Sequence, residues 1–200
     1  MTTLLLDVMD TLVWDPYRLM PEFFGCGWEE LALGRTVGAW HAFERDQLSE
    51  AEFLGSFFAD GRAFDHAAFV QMFVDGYRFL PGIEELLTEL SAAGVPMHSL
   101  SNYPRWSELI EAKLALSRFL SWDWVSWKTG HRKPEPAAYT GVAAGLGLAT
   151  DQCLFVDDRE SNCEAARAVG MRAVRFEGAG ELRDALVREG VLPTSSVGRR

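Results

Sequence analysis

Cysteine is scarce in this 200-residue chain, and the three present (Cys26, Cys153, Cys163) follow no metal-ligand spacing. An odd, sparse set excludes a disulfide framework and fits reduced thiols in a cytoplasm, the expected location. Positive charge is also short: 19 Lys and Arg face 29 Asp and Glu, a formal net charge of −10. Nucleic acid and anionic membrane both demand basic patches, so neither is an expected partner. A phosphate ester remains an admissible ligand, provided the site supplies its own local cation. No apolar run approaches the length of a transmembrane helix. The N-terminal run Leu4, Leu5, Leu6 lacks a basic flank and stops at Asp7, which argues against a signal peptide. Internal repeats and low-complexity segments are missing as well. What is abundant is hydrophobic residues, at 48%, enough for one core or a core plus a small accessory domain.

Two textures alternate along the chain. Short apolar runs at 4–7, 95–100, 124–126, 153–156 and 172–176 predict five buried strands. Between them lie segments of helical spacing: Ile83, Leu86, Leu87 and Leu90, ended by Gly94; Trp106, Ile110 and Leu114, opened by Pro104; Tyr139, Val142, Ala143 and Leu146; and Leu182, Ala185 and Leu186. Strands alternating with helices imply an α/β fold, a Rossmann-like parallel sheet covered on both faces as a three-layer αβα core. Residues 15–80 break the pattern, with no strand and only short aromatic helices. Ser49 with Glu52 forms a capping box, and Asp65 caps a stripe of Phe69, Met72, Phe73, Gly76 and Tyr77. The expected organisation is a core of 1–14 and 81–192, an all-helical cap of 15–80 above the carboxyl edge of the sheet, and an unordered tail, 193–200. That edge is where open α/β sheets bind ligands.

Four stretches fall at this edge. Asp7-Val8-Met9-Asp10-Thr11-Leu12 closes the first strand, Ser101-Asn102 the second, Lys133-Pro134 opens a helix, and Asp157-Asp158 closes the fourth strand. Parallel strands bring their carboxyl ends together, so acids, a lysine and a hydroxyl converge. Without a cation the acids would repel one another and take up protons. Mg²⁺, an oxygen-seeking ion that accepts a few carboxylates and keeps waters, makes such a cluster reasonable.

In order and placement these stretches resemble the haloacid dehalogenase superfamily of hydrolases, over nearly the whole chain, with 15–80 similar to that superfamily's helical cap. The resemblance implies that Asp7 is a nucleophile forming an aspartyl-phosphate and that Thr11 orients its loop. It further implies that the Ser101 hydroxyl and Asn102 backbone hold phosphoryl oxygens and that Lys133 neutralises charge. Mg²⁺ would be held by Asp7, the Met9 backbone carbonyl and Asp158, with support from Asp157. Longer stretches, among them Asp7–Pro16, Phe57–Asp65, Ser101–Trp106 and Gly130–Pro134, resemble the plant chloroplast flavin mononucleotide (FMN) hydrolase branch. That likeness implies a small phosphorylated metabolite, FMN among the candidates, as the substrate.

One departure stands out. Most phosphatases of the superfamily carry, two residues after the nucleophile, an aspartate that protonates the leaving alkoxide; here that position is Met9, followed by Asp10. A thioether moves no proton, and such assistance is worth ~10²–10⁴-fold. Asp10, or His41 or Glu44 from the cap, is the expected replacement; alternatively Asp10 only accepts backbone hydrogen bonds in a turn. The other readings are a 2-haloacid dehalogenase-like hydrolase, which the acid pair Asp157-Asp158 weighs against, and a catalytically weak phosphate-ligand binding or regulatory protein. Of the seven tryptophans, Trp106 is expected in the core, with Trp28 and Trp40 the weaker candidates for stacking on a ligand. The sequence leaves oligomeric state open.

Overall fold

The computed structural model describes residues 2–194. The strand β1 (Thr3–Leu6) runs into a helical segment: a 3-10 turn at Pro16–Leu19, then α1 (Met20–Phe24), α2 (Trp28–Gly34), α3 (Ala39–Glu44), α4 (Glu50–Gly55) and α5 (His66–Gly76). The chain then continues through α6 (Ile83–Ala92), β2 (Met97–Ser99), α7 (Ser107–Leu114), α8 (Ser126–Thr129), α9 (Pro136–Gly145), β3 (Cys153–Asp157), α10 (Glu160–Ala168), β4 (Arg172–Arg175) and α11 (Ala179–Arg188). The strands form one all-parallel sheet in the order β2-β1-β3-β4.

The period of two along β1 divides the interior. Leu4 and Leu6 join Leu154 and Val156 on the face covered by Leu86, Leu87 and Leu90 of α6, Ile110 of α7 and Leu186 of α11. Leu5 and Phe155 point the other way, against Tyr139 and Val142 of α9 and Ala166 of α10. Helices on both faces make the three-layer αβα core. Each such fully buried side chain contributes roughly 1.5–3 kcal/mol. No helix among the described residues is long and apolar enough to cross a membrane.

The run at 124–126 is not a strand, contrary to expectation. The chain approaches β2 twice, through single-residue bridges at His98–Ser121 and Ser101–Val125, and α8 starts at Ser126. Trp122, Asp123 and Trp124 intervene, with a turn at Asp123-Trp124 that interrupts the ladder and the Ser121 hydroxyl donating to the Asp123 carboxylate. The sheet therefore has four strands and a broken edge. Residues 195–200 of the expected tail lie outside the described residues; Pro193 and Thr194 are exposed.

Between residues 16 and 76 the structure is helical apart from an antiparallel bridge at Arg35–Phe58. Ser49 and Glu52 form the expected reciprocal cap on α4, and the Asp65 carboxylate accepts from the Ala68 N–H on α5. The interior of this segment is aromatic. Phe43 stacks on Phe53 with centroids 4.4 Å apart, and Trp106, at the start of α7, inserts edge-on against Phe43. The buried cluster consequently runs unbroken from the helical segment into the sheet face below. Trp106 is core, as expected; Trp28 is exposed, stacked on Tyr17.

Candidate active site

Asp7 is the first residue beyond β1, and its N–H donates to the Val156 carbonyl at 2.9 Å, which fixes it level with the end of β3. The chain then turns sharply. Asp10 takes a left-handed conformation (φ 58°), a region Asp enters more readily than most residues, and its N–H closes the turn on the Val13 carbonyl at 2.7 Å. The turn aims Asp7 into a cavity of about 220 Å³ between the sheet edge and the helical segment.

Lys133, on the loop before α9, reaches the same point. Its Nζ lies 2.7 Å from Asp7 Oδ1 and 2.6 Å from Asp157 Oδ2, with all three groups buried. The remaining capacity of Asp157 is used by the Arg159 N–H at 2.8 Å and the Asn162 side-chain amide at 3.0 Å to each oxygen. The Asn162 carbonyl in turn accepts from the Tyr139 hydroxyl. Asn162 thus acts on Lys133 through Asp157: it holds the carboxylate that holds the ammonium. Asn102 adds a second brace, exchanging both of its amide hydrogen bonds with the Lys133 backbone at 2.7 and 2.8 Å.

One ammonium faces three acids here. Oxygens of Asp7, Asp157 and Asp158 all lie within 4.8 Å of one another. Burial pushes the Asp7 carboxyl up to about 7 against the pull of Lys133, and Asp157 and Asp158 push it further the same way. Asp158 is also raised, by burial and then by Asp157. Burial works against the charged Lys133, but Asp7 and Asp157 outweigh it and hold its ammonium above the ordinary range. The site is short of positive charge, and a divalent cation beside Asp7 and Asp158 would relieve it. The donor set is all oxygen, as magnesium prefers. No donor among the described residues reaches the Met9 carbonyl, the backbone oxygen expected to join the set. The buried hydroxyls of Ser101 and Thr11 have no partner among the described residues, but neither residue lines the cavity; of the expected phosphate-holding pair, only Asn102 does.

Of the groups expected to replace the acid at Met9, two are already engaged. Asp10 accepts from Arg18 at 2.5 Å through one oxygen and from the Asp15 N–H at 3.2 Å through the other, the turn role set against proton transfer above. Glu44 is buried and accepts from Trp40 Nε1 at 2.8 Å and Arg132 Nε at 2.5 Å. Trp40 is four residues from Glu44 on α3 and the Asp10 partners lie five and eight residues on, but Arg132 is 88 residues from Glu44, and no local pattern announced it. Four cavity residues were not singled out: Tyr17 and Tyr103, Asp15, whose only local signal is its place before Pro16, and Arg132, hidden beside Lys133.

Comparison with known proteins bears on the family and the fold. The chain is 41% identical over 180 residues to flavin mononucleotide hydrolase 1 of Arabidopsis thaliana chloroplasts, covering 90% of this chain and 74% of that protein. It is 35% identical over 130 residues to a Mycobacterium tuberculosis phosphatase, covering 62% of this chain and 55% of that one. A Bacteroides thetaiotaomicron HAD family enzyme, solved in complex with magnesium and inorganic phosphate, shares the fold at a TM-score of 0.71 and 19% identity, over 91% of this chain and 98% of that one. Residues 2–170 match the haloacid dehalogenase-like hydrolases, and the chain belongs to that family.

Proposed function

We propose that the chain is a magnesium-dependent phosphomonoester hydrolase that works through an aspartyl-phosphate on Asp7, acting on FMN or a similar small phosphorylated metabolite. The observation that carries this reading is the buried Lys133 held between Asp7 and Asp157, with an Asp158 oxygen within 4.8 Å of both acids. Phosphoryl transfer needs alignment and charge compensation on the equatorial oxygens more than elaborate covalent chemistry. Asp7 would attack phosphorus in line with the leaving oxygen. Lys133 and the Ser101 hydroxyl would take the charge that develops on the phosphoryl oxygens, and Thr11 would hold the loop. Magnesium bound by Asp7, the Met9 carbonyl and Asp158 would supply charge neutralisation. FMN is favoured by the plant relative's name and by a second cavity of about 270 Å³ that shares Tyr17, Trp40 and His41 with the first. Such an aromatic recess beside a phosphate cradle suits a planar ring.

The test is phosphate release from FMN, sugar phosphates and p-nitrophenyl phosphate with magnesium or EDTA. Magnesium-dependent release, lost in Asp7→Asn, is the expected result; no release from any of them would overturn the reading. Met9, in place of an acid, favours a second reading, 2-haloacid dehalogenation. Its mark would be halide release without added metal. Three clustered carboxylates oppose an anionic haloacid, so we rank it second.

A further inference from the structure

A phosphatase with Met9 where an acid is needed must move its proton from elsewhere, and most of the candidate side chains around the cavity are otherwise engaged. Asp7, Asp157 and Lys133 are committed to one another. Asp10 and Glu44 have both oxygens occupied. The Tyr103 hydroxyl is bonded to Tyr77 in the interior, and burial raises both far above the neutral range. His41 is held below its ordinary range, by burial and then by the charge of Arg132, which disfavours its imidazolium form.

Asp15 differs from all of these. It lines the same cavity as Asp7. One oxygen, Oδ1, accepts from the Tyr17 N–H at 3.0 Å, capping the turn at Pro16–Leu19; Oδ2 has no hydrogen-bond partner among the described residues. Its position is rigid. Trp14 pairs with Arg78 and Leu12 with Leu80 through backbone bonds of 2.9 Å, so both chains of the crossing between sheet and cap are tied. Pro16 follows at once and packs on Gly76, where a Cβ would lie 2.7 Å from the proline ring. A fixed carboxyl with one free oxygen, facing the nucleophile's cavity, is what a proton donor requires.

We propose that Asp15 is the general acid and base of this site, in the role that the residue at position 9 cannot fill. The inference rests on the phosphatase reading above. In the first step Asp7 forms a bond to phosphorus, the bond from phosphorus to the ester oxygen breaks, and that oxygen takes the Asp15 proton. In the second, Asp15 carboxylate takes a proton from water as the water oxygen bonds phosphorus; the bond to Asp7 breaks and inorganic phosphate leaves. Asp15 begins and ends protonated. The surroundings suit both halves: burial pushes this carboxyl up to about 6, the Tyr17 N–H opposes, Asp10 raises it, and Arg18 and Arg159 lower it.

Asp15→Asn separates chemistry from structure, because Asn retains the oxygen that caps the turn. The experiment compares wild type and variant on FMN and p-nitrophenyl phosphate with magnesium, by stopped flow and by acid-quench trapping of phosphoenzyme. The expected kcat/KM for FMN falls ~10²–10⁴-fold, and the decline of wild-type kcat/KM above about pH 6 disappears. Nitrophenolate needs no proton on leaving. The variant should therefore release a burst of one equivalent per site, then stall with phosphoenzyme accumulated. FMN turnover within threefold of wild type, or loss of the burst together with turnover, overturns the assignment of Asp15 alone. A wild type inactive on both substrates overturns the phosphatase reading and this inference together.

Discussion

The sheet edge and the helical cap bury opposite things. At the edge, Asp7, Asp157 and Lys133 are withdrawn from water with their hydrogen bonds specified, whereas the cap interior is largely a stack of phenylalanine and tryptophan rings, with Glu44 its one buried charge among the described residues. The edge is held by directional bonds, so an altered atom costs function and stability together. The cap is held by area and shape, so a lost ring costs stability and leaves the chemistry standing. The sharpest break of this comparison is Asp7→Asn, expected to lower phosphate release by ~10³-fold or more, as loss of a nucleophile does. A phosphate-release assay with a thermal melt checks it; a loss explained by unfolding would erase the distinction.

Lys133→Met comes next. It leaves Asp7 and Asp157 buried with no counter-charge, which costs about 3–5 kcal/mol when one partner of a buried pair is removed. Urea unfolding without metal should show that loss, with activity falling alongside. In the cap, Phe69→Ala removes a fully buried ring packed edge-on against Phe73 and away from both cavities, and core Phe→Ala changes cost about 3–5 kcal/mol. Here the two regions should part: kcat measured well below the lowered melting temperature should stay within about twofold of wild type. A tenfold drop in kcat would show that the cap aromatics act on the substrate.

Legibility in the sequence follows the same division. The parallel sheet, the flanking helices and the meeting of Asp7, Lys133 and Asp157 were readable, because strand order forces carboxyl ends together whatever lies between. The capping box of Ser49 and Glu52 was readable because both partners are local. The run at 124–126 misled, since a short apolar run does not reveal whether its neighbours allow a continuous ladder. The engagement of Glu44 was hidden for a different reason, whereas the turn role of Asp10 was one of its two expected readings. Whether a carboxylate is free depends on its partners, and Arg132, 88 residues away, was invisible to any local pattern. Asp15 escaped notice because its raised pKa arises from burial at the crossing between sheet and cap, which is a property of the fold alone.

Asp15 carries the comparison into stability. Its carboxyl rises from 3.8 to about 6 on folding. A carboxyl raised in this way makes the folded state bind the extra proton between those values, so stability declines as pH climbs from about 4 through 6. At pH 7.5 the ionised form should cost on the order of 2–3 kcal/mol, which the neutral amide of Asp15→Asn avoids. Urea midpoints for wild type and variant should nearly coincide at pH 4 and separate at pH 7.5, with the slower enzyme the more stable. Equal midpoints at both values would mean that the carboxyl is not raised.

The smallest effect belongs to Asp10→Asn. Asn tolerates the left-handed turn and keeps an oxygen for the Asp15 N–H, so the loop that aims Asp7 should survive. What disappears is one negative charge next to Asp15. Asp10 helps to raise the Asp15 carboxyl, and Arg18, released from Asp10, would pull it further down. The limb of the FMN kcat/KM profile assigned to Asp15 should therefore move to lower pH by a fraction of a unit, with its plateau changed by less than about threefold, since exposed ion pairs couple weakly. A shift to higher pH, or a hundredfold fall in the plateau with the limb in place, would transfer the proton from Asp15 to Asp10. The sheet-edge turn, and not the crossing into the cap, would then hold the acid.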